Sequence, residues 1–107
     1  MATLSTHVLD TARGRPAADV AVTLERDGVP VGRGVTDGDG RIREFSGAGR
    51  LERGSYRLMF AVGEYFAARN VESLYSVIPV EFTVREDGHY HIPLLLAPHG
   101  YSTYRGS

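Results

Sequence analysis

Apolar residues recur at every second position through most of the chain. Val20, Val22 and Leu24 alternate with Ala21, Thr23 and Glu25. Tyr56, Leu58, Phe60 and Val62 repeat the pattern, as do Ile78, Val80, Phe82 and Val84, and then Tyr90, Ile92 and Leu94. A period of two belongs to a strand with one buried face. Weaker alternation marks four further segments, at 3–10, 30–36, 41–45 and 101–105. Asp-Gly pairs at 27–28, 37–38, 39–40 and 87–88 fall between segments and supply the positive φ that tight hairpins need. Only residues 63–74 read as helix, and for two turns or fewer, because Asn70 brings the first turn signal after Ala67 and Ala68. Eight short strands and one short helix predict an all-β fold, an antiparallel β-sandwich.

The 107 residues form a single domain, 1–107, with no internal repeat, low-complexity tract or linker. A sandwich this small leaves sheet edges with unpaired backbone groups, so closure against copies of itself is expected. The N-terminus lacks a basic region followed by an apolar stretch, and no apolar run approaches a membrane span. A cytoplasmic protein without membrane contact is the expectation.

Composition narrows the chemistry. The net charge is −1, which offers nucleic acid no basic surface. All twelve basic residues are arginine, and lysine, cysteine and tryptophan are absent. A thiolate nucleophile, a lysine Schiff base, a disulfide and a cysteine zinc site are therefore excluded. His, Asp, Glu, Arg, Ser, Thr and Tyr remain.

Three stretches carry those residues in patterns of interest. In "HYHIPLLL" alternation puts His89 and His91 together on the face opposite Tyr90, Ile92 and Leu94. Two solvated histidines, a His-x-His metal pair completed by His7 or His99, and an acid–base site with imidazole poised near neutral pH all fit that placement. In "LSTHVLD" His7 falls mid-strand between apolar neighbours, where a structural histidine bonded to a backbone carbonyl competes with a catalytic one. "TDGDGR" has the opening of a calcium loop, but the alternating acids stop after Asp39 and no bidentate Glu follows, so it reads as a turn delivering Arg41. The C-terminal "HGYSTYRGS" alternates as a strand, yet is too rich in hydroxyls and charge for a core. It suits the lining of something polar.

Together these stretches resemble a known family, the transthyretin-like 5-hydroxyisourate hydrolases. The match rests on "LSTHVLD", "GRPAADVAVTLER", "TDGDGR", "GEYF", "IPVEF" and "HYHIPLLLAPHGYSTYRGS", in that order, with "YRGS" the most specific element. The resemblance implies a transthyretin-like sandwich of two four-stranded sheets, assembled as a homotetramer, a dimer of dimers with active sites at the dimer–dimer interface. It implies hydrolysis of a small molecule, 5-hydroxyisourate, to 2-oxo-4-hydroxy-4-carboxy-5-ureidoimidazoline in urate breakdown. It further implies catalytic roles for His7, Arg41, His91 and Ser107, with Ser107 contributing a hydroxyl or a terminal carboxylate. Substrate contacts are implied for His7, Arg41, Tyr104 and Arg105. No metal or organic cofactor is implied, since acid–base catalysis suffices for amide hydrolysis. The alternative function is a non-enzymatic carrier of a small hydrophobic ligand, which would be expected to lose the histidines and the polar tail. A structural or adhesive sandwich is the third possibility.

Overall fold

A computed structural model describes residues 1–107. Its strands are β1 (Ala2–Asp10), β2 (Arg15–Pro16), β3 (Ala21–Arg26), β4 (Val29–Val35), β5 (Arg41–Ile42), β6 (Gly54–Phe60), β7 (Ile78–Val84), β8 (Gly88–Ala97) and β9 (Gly100–Thr103). One helix, α1 (Val62–Ala67), links β6 to β7. The strands form two sheets, β2-β1-β8-β9 with β5 also on β1, and β4-β3-β6-β7. β2 and β5 share one edge of β1, pairing Leu9–Asp10 and Thr6–His7 respectively, so five strands occupy four places.

The alternation places the core correctly. Val22, Leu24, Tyr56, Leu58, Phe60, Ile78, Val80 and Val84 are buried from one sheet, and Leu4, Val8, Tyr90, Ile92, Leu94 and Leu96 from the other. Phe82 is only half-buried, because β7 is an edge strand, and it stacks on Tyr56 with ring centroids 5.8 Å apart. Two buried polar groups in β1 are satisfied. The Thr6 hydroxyl donates to the Ile92 carbonyl at 2.6 Å, and Asp10 accepts from the Tyr65 hydroxyl of α1 at 2.8 Å.

The structure departs from the sequence expectation in four details. The helix, Val62–Ala67, keeps within the two turns expected, but the strand expected over 101–105 ends at Thr103. The segment expected as a strand over 41–45 pairs only at Arg41–Ile42, after which Phe45 turns into the core. A ninth, two-residue strand, β2, is added. Finally, β1 and β8 run parallel, from Ala2↔Gly88 to Asp10↔Leu96, within an otherwise antiparallel sandwich. That pairing joins opposite ends of the chain, beyond the reach of any local pattern. No helix is long and apolar enough to cross a membrane.

Candidate active site

The parallel register aligns the polar residues of both terminal strands. Thr3 lies opposite His89, Ser5 opposite His91, and His7 opposite Pro93, all on the outward face. Across the other edge of β1, His7 pairs with Arg41 of β5. Arg41 is held there by the preceding turn. The Asp37 carboxylate accepts from the backbone N–H of Asp39 at 2.9 Å and of Arg41 at 3.0 Å, and its second oxygen accepts from Arg43 at 2.8 Å. The Arg41 N–H bond, foremost, keeps the Asp37 carboxyl below its ordinary pKa. Gly40 closes the turn at φ 75°, with its carbonyl accepting from Val8 N–H at 2.7 Å; a Cβ there would stand 2.4 Å from the Val8 carbonyl oxygen. "TDGDGR" is thus a positioning turn for an arginine.

The C-terminal tail reaches the same place through a proline. β9 pairs with β8 as far as Thr103↔Leu94, and the next step would set Tyr104 opposite Pro93. Proline has no N–H to donate, and its carbonyl accepts instead from the Thr103 hydroxyl at 2.7 Å, so the ladder breaks. Pairing resumes in the same register at His91↔Gly106, where Gly106 N–H donates to the His91 carbonyl at 2.8 Å. A Cβ on Gly106 would lie 2.6 Å from Cδ2 of His91, so only glycine lets the tail lie against the imidazole.

These contacts enclose a cavity of about 200 Å³ lined by Ser5, Thr6, Arg41, Ile42, Arg43, His89, His91 and Ser107. His7 sits half-buried beside it, opposite Arg41. Tyr104 and Arg105 line a separate cavity of about 320 Å³ on the other face of β8, where β7 faces Tyr90 and Ile92. There the Arg105 guanidinium lies 4.3 Å from the Tyr90 ring centroid. Within one chain, then, Arg41, His91 and Ser107 converge and His7 adjoins them, whereas Tyr104 and Arg105 line a cavity on the other face of β8.

His91 is half-buried in the cavity it shares with Arg41. Burial lowers its pKa, and the positive charges of Arg41, His7 and His89 lower it further. The ring is therefore neutral at neutral pH. Its Nδ1 is 2.7 Å from the Ser5 hydroxyl, which leaves Nε2 for other chemistry. The Ser5 hydroxyl also stands 2.7 Å from Nε2 of His89, and Nδ1 of His89 lies 2.6 Å from the Thr3 hydroxyl. Ser5 and Thr3 are contributors that the sequence pattern did not single out, and His89 was read there only together with His91. Alternation puts His89 on one face with His91; the missing element is the β1–β8 register, which sets Ser5 against both rings. No three His, Asp or Glu side chains converge to hold a metal ion, and His99, the other suggested third ligand, lies exposed in the turn after β8.

The chain matches the model of the HIUase/Transthyretin family over residues 4–106. A relative from Deinococcus radiodurans named 5-hydroxyisourate hydrolase is 47% identical, covering 97% of this chain and 95% of its own. The solved 5-hydroxyisourate hydrolase of Klebsiella pneumoniae superposes with a TM-score of 0.93 at 46% identity and full coverage of both chains. Sea bream transthyretin, solved in complex with thyroxine, superposes with a TM-score of 0.87 at 30% identity, over 97% of this chain and 94% of that one. With the family match running nearly end to end, the chain belongs to the HIUase/Transthyretin family.

Proposed function

We propose that this chain is a hydrolase acting on 5-hydroxyisourate, opening a cyclic amide to give 2-oxo-4-hydroxy-4-carboxy-5-ureidoimidazoline in urate breakdown. The observation that carries the reading is a neutral, anchored imidazole, His91, in a cavity shared with the permanent cation of Arg41. Relatives bearing the hydrolase name stand behind the choice of substrate.

Water is a poor nucleophile at neutral pH. His91 Nε2 takes its proton as the oxygen attacks the ring carbonyl, a contribution of about 10²–10⁴-fold. Charge then builds on the carbonyl oxygen. Arg41 meets it with a planar fork of donors that stays protonated throughout. His7, opposite Arg41, supplies the proton that the leaving nitrogen needs as the C–N bond breaks, and takes back the proton of the new carboxylic acid. The Ser107 hydroxyl positions water or substrate. Substrate contacts by Tyr104 and Arg105 rest on the family resemblance, since within one chain these residues line a cavity on the other face of β8. The scheme uses acid–base catalysis with no metal or organic cofactor. The working unit is a cytoplasmic homotetramer, a dimer of dimers with sites at the dimer–dimer interface.

A carrier of hydrophobic ligands fits less well. Ile42 is the one apolar side chain among the eight that line the His91 cavity. The test is direct: purified protein is added to freshly made 5-hydroxyisourate, and loss of its ultraviolet absorbance is followed. Decay faster than the spontaneous rate supports the hydrolase; no acceleration by folded tetramer refutes it.

A further inference from the structure

Three side chains outside the water-attack scheme run in an unbroken line to its base: Thr3 hydroxyl, His89 Nδ1, His89 Nε2, Ser5 hydroxyl, His91 Nδ1. The three hydrogen bonds measure 2.6, 2.7 and 2.7 Å. The Ser5 hydroxyl has one hydrogen, and these two rings are its only partners. It therefore donates to one ring and accepts N–H from the other. The rings are consequently locked together. If Ser5 donates to His89, both rings carry hydrogen on Nδ1 and His91 Nε2 has a free lone pair. If Ser5 donates to His91, both rings carry hydrogen on Nε2 and His91 offers a donor.

We infer that Thr3, His89 and Ser5 are positioning residues that form a proton relay, setting the tautomer of His91 and leading one proton out of the site. The inference rests on the hydrolase reading, whose stoichiometry calls for an exit. When water opens an amide, a C–O bond replaces the C–N bond, one proton stays on the leaving nitrogen, and the new carboxylic acid gives up another at neutral pH. The relay provides the route. His91 Nε2 accepts a proton, its Nδ1 proton passes to Ser5, the Ser5 proton passes to His89 Nε2, and the His89 Nδ1 proton passes by way of Thr3 to solvent. His89 and Thr3 are the exposed end of the line and His91 the half-buried one, as an outward path requires. After the shift His91 is neutral again and bears hydrogen on Nε2. After product leaves, the line resets: a solvent proton re-enters by way of Thr3, the three bonds reverse, and the His91 Nε2 proton passes to water in the emptied site. Burial and the permanent charge of Arg41 both oppose a lasting imidazolium at His91, which favours handing the proton on.

Two measurements test this. The first needs no turnover: long-range ¹H–¹⁵N correlation spectra report each imidazole's tautomer. The relay requires His89 and His91 to share one tautomer, and opposite tautomers on the two rings overturn it even in a protein that proves inactive. The second is a proton inventory of kcat in H₂O–D₂O mixtures. Wild type is expected to give a curved plot, with several protons in flight. Ser5→Ala and His89→Ala each should give a straight plot and lose at least tenfold in kcat, with KM within twofold, while Ser5→Thr, which keeps the hydroxyl, stays within threefold of wild type. If Ser5→Ala does not fold, the exposed position 89 carries the test. An active wild type with a straight plot, or with both alanine variants within twofold in kcat, refutes the relay and spares the hydrolase. A wild type that does not accelerate decay refutes the hydrolase.

Discussion

Gly106→Ala is the smallest change that separates the tail from the catalytic imidazole. The added Cβ would stand 2.6 Å from Cδ2 of His91 and 3.2 Å from Cγ of Pro93. Carbon atoms pack favourably at about 3.5–4.0 Å, so the ring or the tail must retreat by roughly 1 Å. Pro93 is buried and braces one side. If the ring moves, it leaves the Ser5 hydroxyl; if the tail moves, the Gly106–His91 backbone bond lengthens and Ser107 swings out of the cavity. A misplacement of about 1 Å at a reacting group can cost about 100-fold in rate, or roughly 2.7 kcal/mol of barrier. Overpacking costs about 1–3 kcal/mol, and the exposed tail at residues 101–105 keeps this case near the lower end. A loss of about 1 kcal/mol lowers Tm by roughly 4–8 °C in a domain of this size. Initial rates of 5-hydroxyisourate decay and a thermal melt check both numbers. Gly100→Ala, in the same tail but with nothing within 4 Å of its Cβ position, is the matched control and should change neither. A Gly106→Ala protein that keeps kcat/KM within twofold refutes the close-approach reasoning.

Other expectations follow from the same contacts. The acid limb of kcat/KM against pH should fall below the ordinary imidazole value of about 6.5, because protonation disables His91 and its folded pKa is depressed. Arg41→Gln removes a cation beside that ring, so its acid limb should move to higher pH while the rate drops about 10²–10³-fold. Asp37→Ala frees the turn that holds Arg41 and should lower kcat/KM by about tenfold, from loss of an orienting contact, with KM rising. The Asp37 carboxylate's own support for the turn is present above the ordinary carboxylate range and vanishes as pH falls through its depressed pKa. Tyr65→Phe leaves buried Asp10 with only the Arg13 N–H and should cost about 1–3 kcal/mol in denaturant unfolding, with specific activity intact. Chelator treatment should leave the decay rate unchanged; a large loss would contradict the metal-free scheme.

The sandwich was legible because period-two burial is a local signal. Val22 and Leu24, Leu58 and Phe60, and Ile92 and Leu94 face inward as their spacing requires. The candidate site was legible in part. His7, Arg41, His91 and Ser107 come from the family resemblance, and alternation independently put His89 and His91 on one face. Hidden from the sequence was everything that depends on long-range register. The pairing of Ser5 with His91 spans nearly the whole chain, and only that pairing turns a serine and an exposed histidine into partners of the proposed base. Residues 101–107 were misread as a continuous strand for a local reason with a remote cause. Their own alternation is good, but the ladder breaks at Tyr104 because its partner is Pro93. The helix keeps to two turns or fewer, as expected, and α1 is held by burial of Val62, Tyr65 and Phe66 rather than by the propensity of Ala67 and Ala68.

The central claim is that a neutral His91 activates water against 5-hydroxyisourate. It is tested most directly by the initial decay rate with His91→Ala, assayed beside wild type at neutral pH after circular dichroism and size-exclusion show the same fold and assembly. The account predicts a loss of about 10²–10⁴-fold. A folded His91→Ala protein that hydrolyses 5-hydroxyisourate at the wild-type rate would contradict it.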